Sequence, residues 1–224
     1  MSKIEIFKKY YLPYLGFYNL QIDSIDRIVE DKIAEKYFAK FNIPEGDWLS
    51  YDKIRDLVFN TNKNYPEMVF RSQEFNFISS IAGIGVDNQT LTIINNIANF
   101  FDDEFFIIEH YPILLYGKDF GLRMKFPKNI SWEEFSSGSY LSIALEKAPL
   151  DDSFIIYGDS GKWGYLISND YWADKNVVGI PLSIIGFDPE YEDIFKSSFP
   201  KPNDEDLSLI QKSLPTPYLN RWVY

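Results

Sequence analysis

Four residues in the second half of the chain, Gly158-Asp159-Ser160-Gly161, are of the types that surround the nucleophile of a trypsin-like serine protease. That chemistry needs a base beside the serine and a carboxylate behind the base. The only histidine is His110, in Ile108-Glu109-His110-Tyr111-Pro112, which does not have the form of that family's histidine motif. Lys162 and Trp163 follow Gly161 where the protease pattern has Gly-Pro, and the chain has no cysteine. The string therefore reads as a tight hairpin turn. Gly158, Gly161 and Lys162 also half-match a phosphate loop, but the spacing between the glycines is too short and Trp163 stands where Ser or Thr would meet magnesium. Gly83 and Gly85 are followed by Asn88 where a dinucleotide fingerprint needs its third glycine. No cofactor is expected.

Metal chemistry is equally poorly supplied. Without cysteine, and with one histidine, a zinc site has no ligand set. Carboxylates cluster at Asp102-Asp103-Glu104, Asp151-Asp152, Asp188 to Asp193 and Asp204 to Asp206. None alternates ligands around a central glycine as a calcium loop does. Helix starts account for several, because acids complement the positive end of the helix dipole. Paired carboxylates with sugar-stacking Trp and Tyr would suit a hydrolase, and that is the enzymatic alternative. His110 reads as a partly buried, hydrogen-bonded side chain.

The bulk composition narrows the classes further. Lys and Arg number 22 against 33 Asp and Glu, for a net charge of −11. Nucleic-acid binding depends on phosphate neutralisation by basic residues. Here Lys8-Lys9 is the only basic doublet, and Arg27, Arg55, Arg71, Arg123 and Arg221 are scattered. Nucleic acid is thus not expected as a ligand, whereas a basic protein would be steered to the surface. No apolar run has the length of a signal peptide's core or a membrane span. With no cysteine, the expected setting is cytoplasmic. Aromatics make up 18% of the chain, as 16 Tyr, 19 Phe and 5 Trp, which predicts large flat core contacts with some rings left for an interface.

The expected fold class is α+β, a helix-rich N-terminal half packed with a mostly antiparallel C-terminal sheet. It is read as a single domain over 1–224, the alternative being a helix-rich subdomain over 1–101 and an antiparallel-sheet domain over 102–224. Helices are predicted over 2–12, then from a cap at Asp23 or Ser24 through Ile25, Val29, Ile33, Tyr37 and Phe41, then over 51–60 with Ile54, Leu57 and Val58 inward. A strand over 68–81 and a helix from Asp87 or Asn88 to Phe101 follow. Beyond Asp103, strands are predicted over 105–109, 113–116, 121–126, 154–157, 164–168 and 180–187. Ser131 and Glu134 form a capping box for a short helix. Helices over 190–199 and 204–213 precede an aromatic tail, 214–224, expected to dock.

The most patterned stretch runs FIIYGDSGKWGYLISNDYW and then PLSIIGFDPEYEDIFKSSF, residues 154–172 and 181–199. It resembles the C-terminal part of a group of bacterial proteins, some of them immunity proteins beside polymorphic toxins. The resemblance covers 154–199 and none of the helical front half. It implies no catalysis and a protein partner. On that reading the chain is a non-catalytic, immunity-like binder whose contact residues are Asp159, Lys162 and Trp163, with Asp170, Tyr171 and Trp172 beside them. The competing readings are a scaffold or regulatory domain and, for Trp163, a structural role in which the indole packs the hairpin and the glycines shape it.

Overall fold

The computed structural model describes residues 48–60, 62–63, 65, 67–71, 74–81, 86–110, 123–136, 154–168, 180 and 182–224. The helices expected over 2–12 and 25–41, the Gly83-Gly85 break and the strand over 113–116 lie outside them. In chain order the elements are α1 (Trp48–Val58), β1 (Asn76–Ile81), α2 (Asn88–Phe100), β2 (Phe105–His110), β3 (Arg123–Pro127) and α3 (Trp132–Ser136). β4 (Phe154–Gly158), β5 (Trp163–Ser168) and β6 (Leu182–Phe187) follow. A 3-10 turn (Pro189–Tyr191) then leads into α4 (Glu192–Ser198), α5 (Asp204–Ser213) and α6 (Thr216–Leu219).

The six strands form one sheet in the order β1-β6-β5-β4-β2-β3, and every neighbouring pair is antiparallel. This corrects the expected division into a helix-rich front half and a sheet-forming back half. The organising element of the described residues is the sheet, with short helices around it, and β1 of the front half pairs along its whole length with β6. β4, β5 and β6 are buried at every position. Their near-continuous apolar runs are what a sheet covered on both faces requires.

Alternation along the strands sorts the core into two layers. Phe106, Ile108, Phe154, Ile156, Trp163, Tyr165, Ile185 and Phe187 meet Leu91, Ile94 and Ala98 of α2 and Phe195 of α4. Ile107, Ile155, Tyr157, Leu166 and Ile184 face the other way, towards Val58 at the end of α1 and Phe59 just after it, Ile210 of α5 and Tyr218 of α6. The α1 expectation holds for Val58, while Leu57 is 61% exposed. The long strand expected over 68–81 is confined to Asn76–Ile81. Phe75 and Phe77 keep a period of two, but Phe70 is out of step with them and instead bridges Phe59 and lies over the sheet face. Gly164 and Gly186 are register partners in β5 and β6. A Cβ on Gly164 would lie 2.4 Å from Val58 Cγ1, and one on Gly186 2.7 Å from Phe70 Cδ1. The two glycines thus form a notch in the sheet for the Phe59 and Phe70 rings, which pack at 5.0 Å between centroids.

The aromatic tail docks as expected. Phe77 N–H donates to Arg221 O at 2.9 Å and Val223 N–H to Phe77 O at 3.0 Å, so the chain end runs along β1. Tyr218 Oη accepts from Val69 N–H at 3.0 Å and donates to Glu67 O at 2.7 Å. Among the described residues no helix is long and apolar enough to cross a membrane.

Candidate functional site

One end of the sheet gathers the loop 101–104, the β4–β5 turn 159–162 and the segment 188–191. The register requires it: Phe106 pairs with Gly158, and Trp163 with Phe187. The end is built from the close of α2. Asp87 caps the start of that helix, accepting from Thr90 N–H at 2.7 Å. At its other end Asp102 N–H donates to Asn99 O at 3.2 Å and Asp103 N–H to Ala98 O at 2.8 Å. These two bonds make a Schellman close, with Asp102 in the left-handed region at φ 56° where glycine is usual. The close delivers Asp103 into the sheet edge, fully buried.

Both oxygens of Asp103 are used. Oδ1 accepts from Ser160 N–H at 2.6 Å, and Oδ2 from the Trp163 indole Nε1–H at 2.8 Å. In return Asp159 Oδ1 accepts from Glu104 N–H at 3.0 Å. Loop and turn therefore brace each other, each giving a carboxylate to the other's backbone. Gly158 makes the contact possible, because a Cβ there would stand 2.0 Å from Asp103 Oδ2. Gly161, at φ 66°, closes the turn against Leu57, whose Cδ1 would be 2.8 Å from an added Cβ. Burial, reinforced by the hydrogen bond and charge of Asp103, raises the Asp159 pKa above its ordinary value. Lys128 binds Asp102 at 2.9 Å, and their hydrogen bond lowers the Asp102 pKa and raises that of Lys128.

Outside the brace lies an aromatic cluster. Phe100 is 44% exposed and packs edge-on against Phe101 and Tyr191, at 4.9 and 5.7 Å between centroids. Phe101 and Tyr191 meet at 4.8 Å and 87°. Lys162 Nζ stands 5.8 Å from the Phe101 centroid and 5.9 Å from that of Tyr191. Asp188 and Glu190 are exposed beside Tyr191. The hydrogen bond with Glu190, then burial and the two negative charges, raise the Tyr191 pKa.

Of the residues singled out from the sequence, Asp159 and Lys162 come together at this end, Asp159 in the brace and Lys162 exposed over the rings. Trp163 is at the same place but entirely buried, beneath the turn. Asp170, Tyr171 and Trp172 lie outside the described residues. Ser160 is in the turn, whereas His110 pairs with Phe154 at the opposite end of β2, so the register separates the two residues that a protease would join. Among the described residues no three metal-ligating side chains are grouped to hold an ion. No sequence pattern singles out Phe100, Phe101 and Tyr191. In the sequence Asp102-Asp103-Glu104 is one acidic cluster among several. It follows the C-terminus of α2, where acids oppose the helix dipole. That misfit was the available signal that Asp103 had another task.

A second polar group is buried beneath α1. Arg55 Nη1 donates to Glu109 Oε1 at 2.8 Å and lies 3.0 Å from Asp52 Oδ1. Tyr157 Oη–H donates to Glu109 Oε2 at 3.0 Å. Comparison with known proteins finds no matching family model, no matching curated protein and no matching solved structure.

Proposed function

We propose that the chain is a non-catalytic protein-binding protein, immunity-like in neutralising a basic partner in the cytoplasm, and that it docks through the turn end of the sheet. The observation that carries this reading is the partly exposed Phe100-Phe101-Tyr191 cluster, set among Asp102, Glu104, Asp188 and Glu190. Exposed rings rimmed by polar groups are typical of docking surfaces, and buried aromatic anchors dominate binding energy. The net charge of −11 favours association with a basic surface. The mutual Asp103 and Asp159 brace favours binding too, since a turn already held rigid loses little freedom on docking. The Asp103 oxygens accept from backbone and indole, an arrangement that suits bracing better than acid–base catalysis.

The test is capture from native lysate by the tagged protein at low and high salt, with the captured protein identified and rebound in pure form. Binding to the pure partner should fall at least tenfold in Phe100→Ser and with Glu190→Lys, and remain unchanged in Leu209→Ser, on the opposite layer. Ser160→Ala and His110→Gln should bind like the wild type. Full binding by Phe100→Ser and Glu190→Lys would remove this surface from the interface. An activity abolished by Ser160→Ala and by His110→Gln, with folding preserved, would overturn the non-catalytic reading.

A further inference from the structure

Among the described residues, Lys162 at the turn end already shows what the aromatic cluster accepts. Its ammonium stands within about 6 Å of two ring centroids, the range in which the negative face of an aromatic ring attracts a cation. The rings meet at 87°, so Phe101 and Tyr191 form two walls of a cradle and Phe100 extends it outward. Asp188 and Glu190 place negative charge along the Tyr191 wall, and Asp102 follows the Phe101 wall. At 5.8 and 5.9 Å the lysine sits at the outer limit of such contacts, on a turn whose backbone is fixed by Asp103 and by Gly161. It fills the cradle loosely and can swing out to solvent without disturbing the turn.

We infer that the Phe101-Tyr191 cradle is a receptor for an arginine side chain of the protein partner, with Lys162 as an internal placeholder that the incoming guanidinium displaces. This rests on the docking surface proposed above and names the chemistry that the surface reads. Arginine fits better than lysine, because a planar and weakly hydrated guanidinium stacks on a ring while its N–H groups reach carboxylates at the rim. The placeholder also keeps a cation over the rings in the free protein, so that the aromatic faces are not left bare before the partner arrives.

The probe is a hexa-arginine peptide, titrated into the full chain at low salt by isothermal calorimetry, with hexa-citrulline as the uncharged analogue of the same shape and hexalysine as the compact cation. The expected order is arginine above lysine, with no binding of citrulline. Tyr191→Leu and Phe100→Leu should each weaken hexa-arginine binding about two- to fivefold, the size of an exposed cation–ring contact. Lys162→Met should tighten it, and by more than Lys128→Met, which removes the same charge from the Asp102 pair away from the rings. Two variants are used so that a folding defect in one, read by circular dichroism, leaves the other informative. Equal binding by wild type and both ring variants, or equal gains from Lys162→Met and Lys128→Met, would overturn the cradle and leave only diffuse charge attraction. A pure partner that needs Phe100 but binds unchanged when its interface arginines are replaced by glutamine would also overturn it, while the docking surface itself would stand. Failure to capture any partner, with hexa-arginine still bound in the expected order, would count against the docking reading and not against the cradle.

Discussion

The indole N–H of Trp163 donates to Asp103 Oδ2 at 2.8 Å, and neither residue is exposed to solvent. One carboxylate thereby joins the end of α2, the β4–β5 turn and the first residue of β5. A buried carboxylate is tolerated only when its oxygens are hydrogen-bonded, and here Trp163 supplies one of the bonds and Ser160 N–H the other. Trp163→Phe keeps most of the ring but leaves Oδ2 without its donor. It should cost about 1–3 kcal/mol of stability, against about 3–5 kcal/mol for Trp163→Ala, which also opens a cavity. A denaturation cycle combining Trp163→Phe with Asp103→Ala should show coupling of about 1–3 kcal/mol. Additive losses would mean that the indole contributes by packing alone.

Asp159 is the electrostatically uncomfortable member of the brace. Its folded pKa is raised by burial and by Asp103, so the native state holds its proton more tightly than the unfolded chain does. The sign follows directly: stability falls as pH rises from the ordinary Asp value through the raised one, and the penalty persists above it. Asp159→Asn keeps an oxygen for Glu104 N–H and removes the charge facing Asp103. It should stabilise the protein by a few tenths of a kcal/mol to about 1 kcal/mol at pH 7, the group being partly solvated. Urea melts at pH 7 and pH 3.5 should show the gain shrinking at the lower pH. A gain that persists unchanged in acid would point to some cause other than the carboxylate pair.

The glycine notch makes a sharper steric demand. Gly164→Ala sets a methyl 2.4 Å from Val58 Cγ1 and 2.7 Å from the Phe59 ring, both buried. Overpacking of this kind should cost about 1–3 kcal/mol. Gly164→Ala combined with Phe59→Leu should recover part of the loss, because the smaller side chain frees the space. If Gly164→Ala melts like the wild type, the ring does not occupy the notch in solution.

How far the sequence reveals this arrangement depends on the range of the interaction concerned. Local signals are readable: the Asp87 cap and the Ser131 capping box, with Glu134 N–H donating to Ser131 Oγ at 3.1 Å, both lie within three residues of the groups they bond. The turn 158–162 reads as a hairpin from its glycines, and it joins β4 to β5. The sheet's dominance was not readable from the front half. β1 carries Ser79 and Ser80 and looks weak alone, yet it is stabilised by pairing with β6, about a hundred residues later. The aromatic cradle was hidden for the same reason: Phe100 and Phe101 close one helix, Tyr191 lies in a later turn, and only the register of β5 with β6 brings them together. Trp163 reads from the sequence either as a partner contact or as a ring that packs the hairpin; its burial agrees with the second, while nothing near it in sequence announces the bond to Asp103.

Arg55 and Glu109 present the reverse case, a charge pair placed where apolar residues would serve stability. Both are buried, the guanidinium is 2.8 Å from Glu109 Oε1, and Tyr157 holds the second carboxylate oxygen. Removing water from both charges offsets most of what their attraction contributes, whereas breaking the pair leaves one charge buried without its partner. Arg55→Ala should therefore cost about 3–5 kcal/mol. Arg55→Met with Glu109→Leu should cost much less, although the loss of the Tyr157 bond keeps it from being neutral. The comparison is made by chemical denaturation of the two variants and the wild type. A double variant as unstable as Arg55→Ala would mean that the pair fixes α1 against β2 through geometry that packing cannot replace. α1 would then depend on this ion pair to bring Leu57 against Gly161 at the turn end, and binding of the partner should weaken together with the stability.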